Sequence, residues 1–206
     1  GTKSGDAIVA FTLPDGEDGA RLSTATPADG GWIELFDGET LDGWAHLNGW
    51  HSYTVEDGAI VGRTAPGSPN SFLATTRVFG DFELEMEVWV DSVTNSGIQF
   101  RSQSRTLGGR VNGPQMELRR YQGPGVPTTG VFYGEAMDTG WLSSQQTIDR
   151  GHRYYRDADW NLVRLVARGP RMMTWVNGQP VEDLVNEAVY RTHPERFIGL
   201  QIHAEE

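Results

Sequence analysis

The stretch DFELEMEVWV, residues 81–90, limits the fold more than any other part of the chain. Leu84, Met86 and Val88 alternate with Glu83, Glu85 and Glu87. In an extended strand that period of two gathers the apolar side chains on one face and the acids on the other. A helix would scatter both sets around its axis. The alternation recurs in GIQFRSQ, QMELRR, LVRLVA, MMTWV and GLQIHA. SYTVEDGAIVG reads as a hairpin turning at Glu56-Asp57-Gly58, and WVNGQPV sets an Asn-Gly turn between two β-prone runs. Helical character is confined to VEDLVNEAVY, which fits one short helix or turn. No strand–helix–strand alternation is present, which excludes a parallel doubly wound sheet. The pattern predicts an all-β protein, an antiparallel two-sheet sandwich.

The 206 residues suffice for one large β-sandwich domain. Residues 1–30, with LPDGEDGARLSTATPADG, read as an N-terminal linker or peripheral strand, and the core is expected to begin at GWIELFDG and fill 31–206. A formal net charge of −11 excludes a nucleic-acid partner and an anionic membrane surface, both of which need clustered Lys and Arg. No run of about 18 apolar residues predicts a membrane span. Cysteine is absent, so disulfides and thiolate metal sites are excluded.

Function is carried by the strand faces that point away from the core. In GIQFR, Ile98 and Phe100 take the core, leaving Gln99 and Arg101 beside Gly97. In QMEL, Met116 and Leu118 take it, leaving Gln115 and Glu117. In IGLQIH, Ile198, Leu200 and Ile202 take it, leaving Gly199, Gln201 and His203. Amides, an arginine and a carboxylate suit gripping several hydroxyls at once, which suggests a sugar, and the glycines would leave room for it. The bland reading, polar residues pairing across a wet sheet, stands beside it. His203 is a candidate because imidazole is the side-chain type suited to proton transfer near neutrality. Glu117 is its natural partner if their strands adjoin. Weaker candidates are His46 and His51 around LNGW, Arg105 and Arg110 in the loop SRTLGGRVNGP, and Tyr133 and Trp141 as stacking rings. The acids of FDGETLDGW lack the spacing of a calcium loop, so spacing supports no metal site.

Taken in order, ELFDGETLDGW, YTVEDGAIVG, FGDFELEMEVWV, TNSGIQFRS, GVFYG, DWNLVRLVARGPRMMTWVNGQPV and IGLQIHA resemble the 3-keto-disaccharide hydrolase family from about residue 31 onward. That family is similar in fold to the concanavalin A-like jelly rolls, whose concave sheet carries the site. Its motif residues fall on Arg101, Gln201 and His203. Two departures stand out. This chain has Gln115-x-Glu117 where the family often has Glu-x-Gln, and it ends at Glu206, before the family's usual final strand. The second departure predicts a free sheet edge beside GLQIHA.

The resemblance implies chemistry on glycosides already oxidised to a ketone at C3. The ketone acidifies the C2 proton; a base removes it, the C1 substituent leaves by β-elimination, and water adds back. His203 and Glu117 are implied as base and acid in either order. Arg101 is implied as the enolate stabiliser, with Gln99, Gln115, Gln201, Tyr133 and Trp141 binding substrate. No cofactor is required; a divalent metal beside Arg101 is compatible with the chemistry. The expected partner is a carbohydrate, the expected setting periplasmic or extracellular, although GTKSGDAIVAF shows no signal peptide. The alternative is a non-catalytic carbohydrate-binding module or lectin-like domain of a larger extracellular protein or assembly.

Overall fold

The structure, a computed structural model, describes residues 8–12, 21–24, 32–91, 94–104, 110–119 and 128–204. In chain order these hold β1 (Ile8–Thr12), β2 (Arg21–Thr24), β3 (Trp32–Glu34), β4 (Trp44–Leu47), β5 (Ser52–Glu56), β6 (Ala59–Arg63), β7 (Ser71–Thr75) and β8 (Phe82–Val90). There follow β9 (Asn95–Ser104), β10 (Val111–Arg119), β11 (Phe132–Glu135), α1 (Gln145–Gly151), β12 (Asn161–Arg168), β13 (Arg171–Val176), β14 (Gln179–Val185), α2 (Glu187–Thr192) and β15 (Phe197–Ile202). The larger sheet runs β14-β13-β12-β8-β1-β6-β5, with β2 joining β8 to β3. The smaller runs β11-β10-β9-β15-β7-β4.

β8 shows why the chain folds this way. Phe82, Leu84, Met86, Val88 and Val90 are buried, and each residue between them is only half-buried. They meet Ile98, Phe100, Met116, Leu118, Ile198 and Leu200 from the smaller sheet in one core. Each such side chain contributes about 1.5–3 kcal/mol by leaving water. The two foreseen hairpins form. Asp57 and Gly58 turn β5 into β6 at φ +49° and +77°, and Asn177 and Gly178 turn β13 into β14 at +50° and +76°. Positive φ at both central residues is what a two-residue hairpin turn demands.

Three expectations need correcting. The segment VEDLVNEAVY is not one helix or turn: β14 takes its first half as far as Val185, and α2 begins only after Asn186, whose side chain accepts from the Val189 N–H (3.0 Å). The N-terminal stretch is not merely a linker or peripheral strand. β1 lies inside the larger sheet between β8 and β6, with Phe11 in the core at 3% exposure. The sheet edge beside GLQIHA is not free, because β15 pairs with β9 on one side and β7 on the other.

Candidate functional site

The smaller sheet brings most of the expected polar residues into two adjacent rungs. Tyr133, Gln115, Gln99 and Gly199 pair in succession across β11, β10, β9 and β15. Glu117, Gly97, Gln201 and Phe72 form the next rung across β10, β9, β15 and β7. Alternation thus places Gln99, Gln115, Glu117 and Gln201 on one face, as the sequence reading expected, though they are not a wet surface. Gln99 and Gln201 are wholly buried, Gln115 is 2% exposed and Glu117 4%.

Burial obliges these groups to satisfy one another. Ser102 Oγ donates to Gln99 Oε1 (2.6 Å), and Gln99 Nε2 donates to Gln115 Oε1. Gln115 Nε2 donates to Glu117 Oε1 (2.5 Å) and towards Gln201 Oε1 (3.3 Å). The expected hydroxyl-holding amides are therefore hydrogen-bonded to one another and, through Gln115, to Glu117 in this structure. Gly97 serves the same network rather than making room for a ligand: a Cβ there would collide with the Gln115 side chain lying over it.

The sequence reading missed Glu135, the last residue of β11. Its Oε2 accepts from Gln201 Nε2 and its Oε1 from Asn70 Nδ2, both at 3.4 Å. Gln201 lies on β15, three strands away from β11, which in a flat sheet is roughly 14 Å. The contact closes because the sheet curls, so β11 folds its face over β15 and β7. Asn70 cannot be turned the other way, since its Oδ1 accepts the Ala204 N–H (2.8 Å). Burial pushes the Glu135 carboxyl above its ordinary range, against the opposing charges of Arg110 and His203. Only GVFYGEA marks this residue in the sequence, and nothing in that string ties it to GLQIHA.

His203 follows β15 directly, half-buried, with its backbone N–H on the Asn95 carbonyl (3.3 Å). Its Nδ1 lies 2.8 Å from the Ala204 carbonyl oxygen. A carbonyl only accepts, so Nδ1 carries a proton, and in the neutral ring Nε2 is then the basic nitrogen. Tyr133 packs edge-on against Trp141, ring centres 5.1 Å apart, and Trp141 is 43% exposed.

Arg101 is not on this face. The pairing of β9 slips between Gln99 and Ser102, a bulge at which Arg101 has φ +51°. One extra residue inverts the alternation from that point. Ser102 turns to Gln99, and Arg101 swings to the rim of the sandwich. There its guanidinium donates to the carbonyls of Gly80 (2.8 Å) and Gly169 (2.7 Å) and to Asp81 (2.8 Å), with Tyr190 beneath it. It is 1% exposed, a structural clamp across the rim. His51 is equally structural, buried with Nδ1 accepting the Ala65 N–H (2.8 Å), and His46 packs edge-on to Tyr53. Arg110 is exposed at the start of β10, whereas Arg105 lies outside the described residues. Among the described residues no three His, Asp or Glu side chains are grouped to hold a metal ion.

The face thus joins two carboxyl groups, a histidine of fixed tautomer and an aromatic wall, the furniture of proton transfer on a ring-shaped polar substrate. A Bacteroides thetaiotaomicron 3-keto-disaccharide hydrolase is 36% identical over 93 residues, 41% of this chain and 32% of that protein. The match thus spans about a third of the relative's length. A Parabacteroides distasonis protein, provisionally named a glycosyl hydrolase, superposes with a TM-score of 0.55 at 16% identity, over 89% of this chain and 94% of its own. A Bacillus subtilis protein of unknown function with a galectin-like fold gives 0.53 at 12% identity, over 90% of each chain. These two speak to the fold alone, an antiparallel jelly-roll sandwich of the galectin-like kind. The 3-keto-alpha-glucoside-1,2-lyase-like domain profile matches residues 31–206, and the chain belongs to that carbohydrate-active family.

Proposed function

We propose that this chain cleaves 3-keto-glycosides by removing the C2 proton, expelling the C1 substituent and adding water at C1. The carrying observation is His203. Its Nδ1–H is tied to the Ala204 carbonyl, which leaves Nε2 as a base on the same concave face as two buried carboxyls. Family membership supports the substrate class. In this reading the imidazole takes the C2 proton, made acidic by the adjacent ketone, and the electron pair passes to the C3 oxygen as an enolate. The Arg101 guanidinium is buried at the rim on Gly80, Gly169 and Asp81, away from that oxygen. Among the described residues Arg110 is a cation whose charge reaches Glu135 on this face. Tyr133 and Trp141 would stack on the ring, and Gln99, Gln115 and Gln201 would hold Glu117 and Glu135 rigid. The balance of the reaction consumes no hydride, so the ketone must be made beforehand by an oxidoreductase.

The test is incubation with a 3-keto-glucoside in D2O, following 3-keto-sugar release and deuterium at C2. Wild type is expected to give both, and His203→Ala neither. Absence of both products with wild type would overturn the proposal. The exposed Trp141 beside Tyr133 also fits a non-catalytic sugar-binding module. That second reading predicts saturable binding of unoxidised glycosides and no turnover of the 3-keto form.

A further inference from the structure

His203 is tethered on two sides. Its backbone N–H goes to the Asn95 carbonyl of β9 (3.3 Å), and its Nδ1 lies 2.8 Å from the Ala204 carbonyl oxygen. The ring is therefore only as well fixed as Ala204. The last rung between β7 and β15 pairs Ser71 with Ile202, so the ladder stops short of Ala204. Continued by count, it would set Pro69 against Ala204. Pro69 has no N–H, and its carbonyl accepts from Ser68 Oγ (2.9 Å). Asn70 bridges the gap with its side chain instead. Its Oδ1 accepts the Ala204 N–H (2.8 Å), and its Nδ2 donates to Glu135 Oε1 (3.4 Å).

We infer that Asn70 is a positioning residue for His203, acting through Ala204 to keep the imidazole proton on Nδ1. This rests on the reading of His203 as the base, and neither the sequence motifs nor the family match gives Asn70 a part. The hydrogen bonds run in one direction. His203 Nδ1 donates to the Ala204 carbonyl, the Ala204 N–H to Asn70 Oδ1, and Asn70 Nδ2 to Glu135. A backbone N–H only donates, and the Glu135 oxygen at the far end accepts, so one orientation of the Asn70 amide satisfies both.

The fixed amide holds Ala204 against β7, the Ala204 carbonyl stays beside Nδ1, and the tautomer follows from that bond. The logic is that of a carboxylate orienting a histidine base from behind, with an amide and one residue of backbone set between them. With Ala204 released, the ring is free to take the tautomer that a solvated imidazole prefers, the proton on Nε2. The basic nitrogen would then be Nδ1, which faces its own backbone, and the substrate would meet an N–H.

The test reads the ring directly. Nitrogen-resolved NMR of the isotopically labelled full chain separates the two tautomers at about pH 8, where an ordinary imidazole is neutral. Comparison with His203→Ala assigns the signals among the five histidines. Wild type is expected to show Nδ1–H; finding Nε2–H there overturns the inference without any variant. Asn70→Leu is expected to move the ring towards Nε2–H. It should lower kcat on a 3-keto-glucoside about 10–10²-fold, part of what a positioned base supplies, and change KM by less than about threefold. The paired exchange Asn70→Asp with Glu135→Gln keeps both hydrogen bonds, with donor and acceptor reversed between the two side chains. It is expected to restore the Nδ1–H tautomer and most of kcat. A folded Asn70→Leu chain that keeps Nδ1–H, or a paired exchange that restores neither, overturns the inference. Should Asn70→Leu not fold, wild type and the paired exchange decide. Wild type inert on the 3-keto-glucoside overturns the reading of His203 as the base, while the tautomers still decide whether Asn70 positions the ring.

Discussion

The outer face of β8 and the concave face of the smaller sheet are written in the same alternating pattern and behave oppositely. On β8, Glu83 meets Arg164 at 2.5 Å and Arg168 at 4.0 Å, and Glu85 meets Arg164 at 3.7 Å. Both arginines stay substantially exposed, and Arg164 covers the Trp175 ring at 4.8 Å. Water can replace any of these partners, so each is worth little. On the concave face Gln99, Gln115 and Gln201 have no water to turn to, and each bond lost strands a buried donor or acceptor. The difference is that one face meets solvent and the amides of the other are buried against one another.

Four substitutions or titrations sharpen the contrast. The largest effect is expected for His203→Ala, a fall of about 10²–10⁴-fold in turnover of a 3-keto-glycoside with little change in melting temperature. Next is Arg101→Met, which strands the Gly80 and Gly169 carbonyls and leaves Asp81 uncompensated. We expect a loss of about 3 kcal/mol in urea unfolding and unchanged activity per folded molecule. A catalytic defect at unchanged stability would return Arg101 to the site.

Third is pH. Burial raises the Glu135 pKa in the folded state, so its contribution to stability is complete below the unfolded value, near 4.5, and is lost as pH rises through the folded one. Thermal unfolding of Glu135→Gln should therefore gain on wild type as pH rises above that value. Glu56, at the surface, behaves with opposite sign. Its hydrogen bonds to Arg63 lower its pKa from 4.5 to about 2, so its contribution is present above 4.5 and fades as pH falls towards 2. The smallest effect is expected for Arg164→Ala: less than about 1 kcal/mol, weakened by salt, with no change in activity.

Much of the concave face was legible. Alternation in QMEL and IGLQIH put Gln115, Glu117, Gln201 and His203 together, and their strands do share a sheet. Arg101 was misplaced because counting by twos assumes an unbroken ladder. A positive-φ bulge at a non-glycine residue leaves no mark in the letters GIQFRSQ. Glu135 was missed for a different reason. Its string GVFYGEA carries one exposed-looking acid, and its two partners lie 65 and 66 residues away in sequence. Sequence likewise could not show that Gly97 makes room for Gln115 and not for a ligand.

The sequence by itself determined the all-β class, the hairpins at Asp57-Gly58 and Asn177-Gly178, and the sorting of core from polar face along each strand, because these depend on local φ preference and a period of two. Tertiary structure alone decided which strands adjoin, where the ladder slips, and how far the sheet curls. Those three set the chemistry: the slip at Arg101 removes a cation from the face, and the curl brings Glu135 to Gln201 and Asn70. They are settled by packing between residues far apart in the chain, where no short-range pattern reaches.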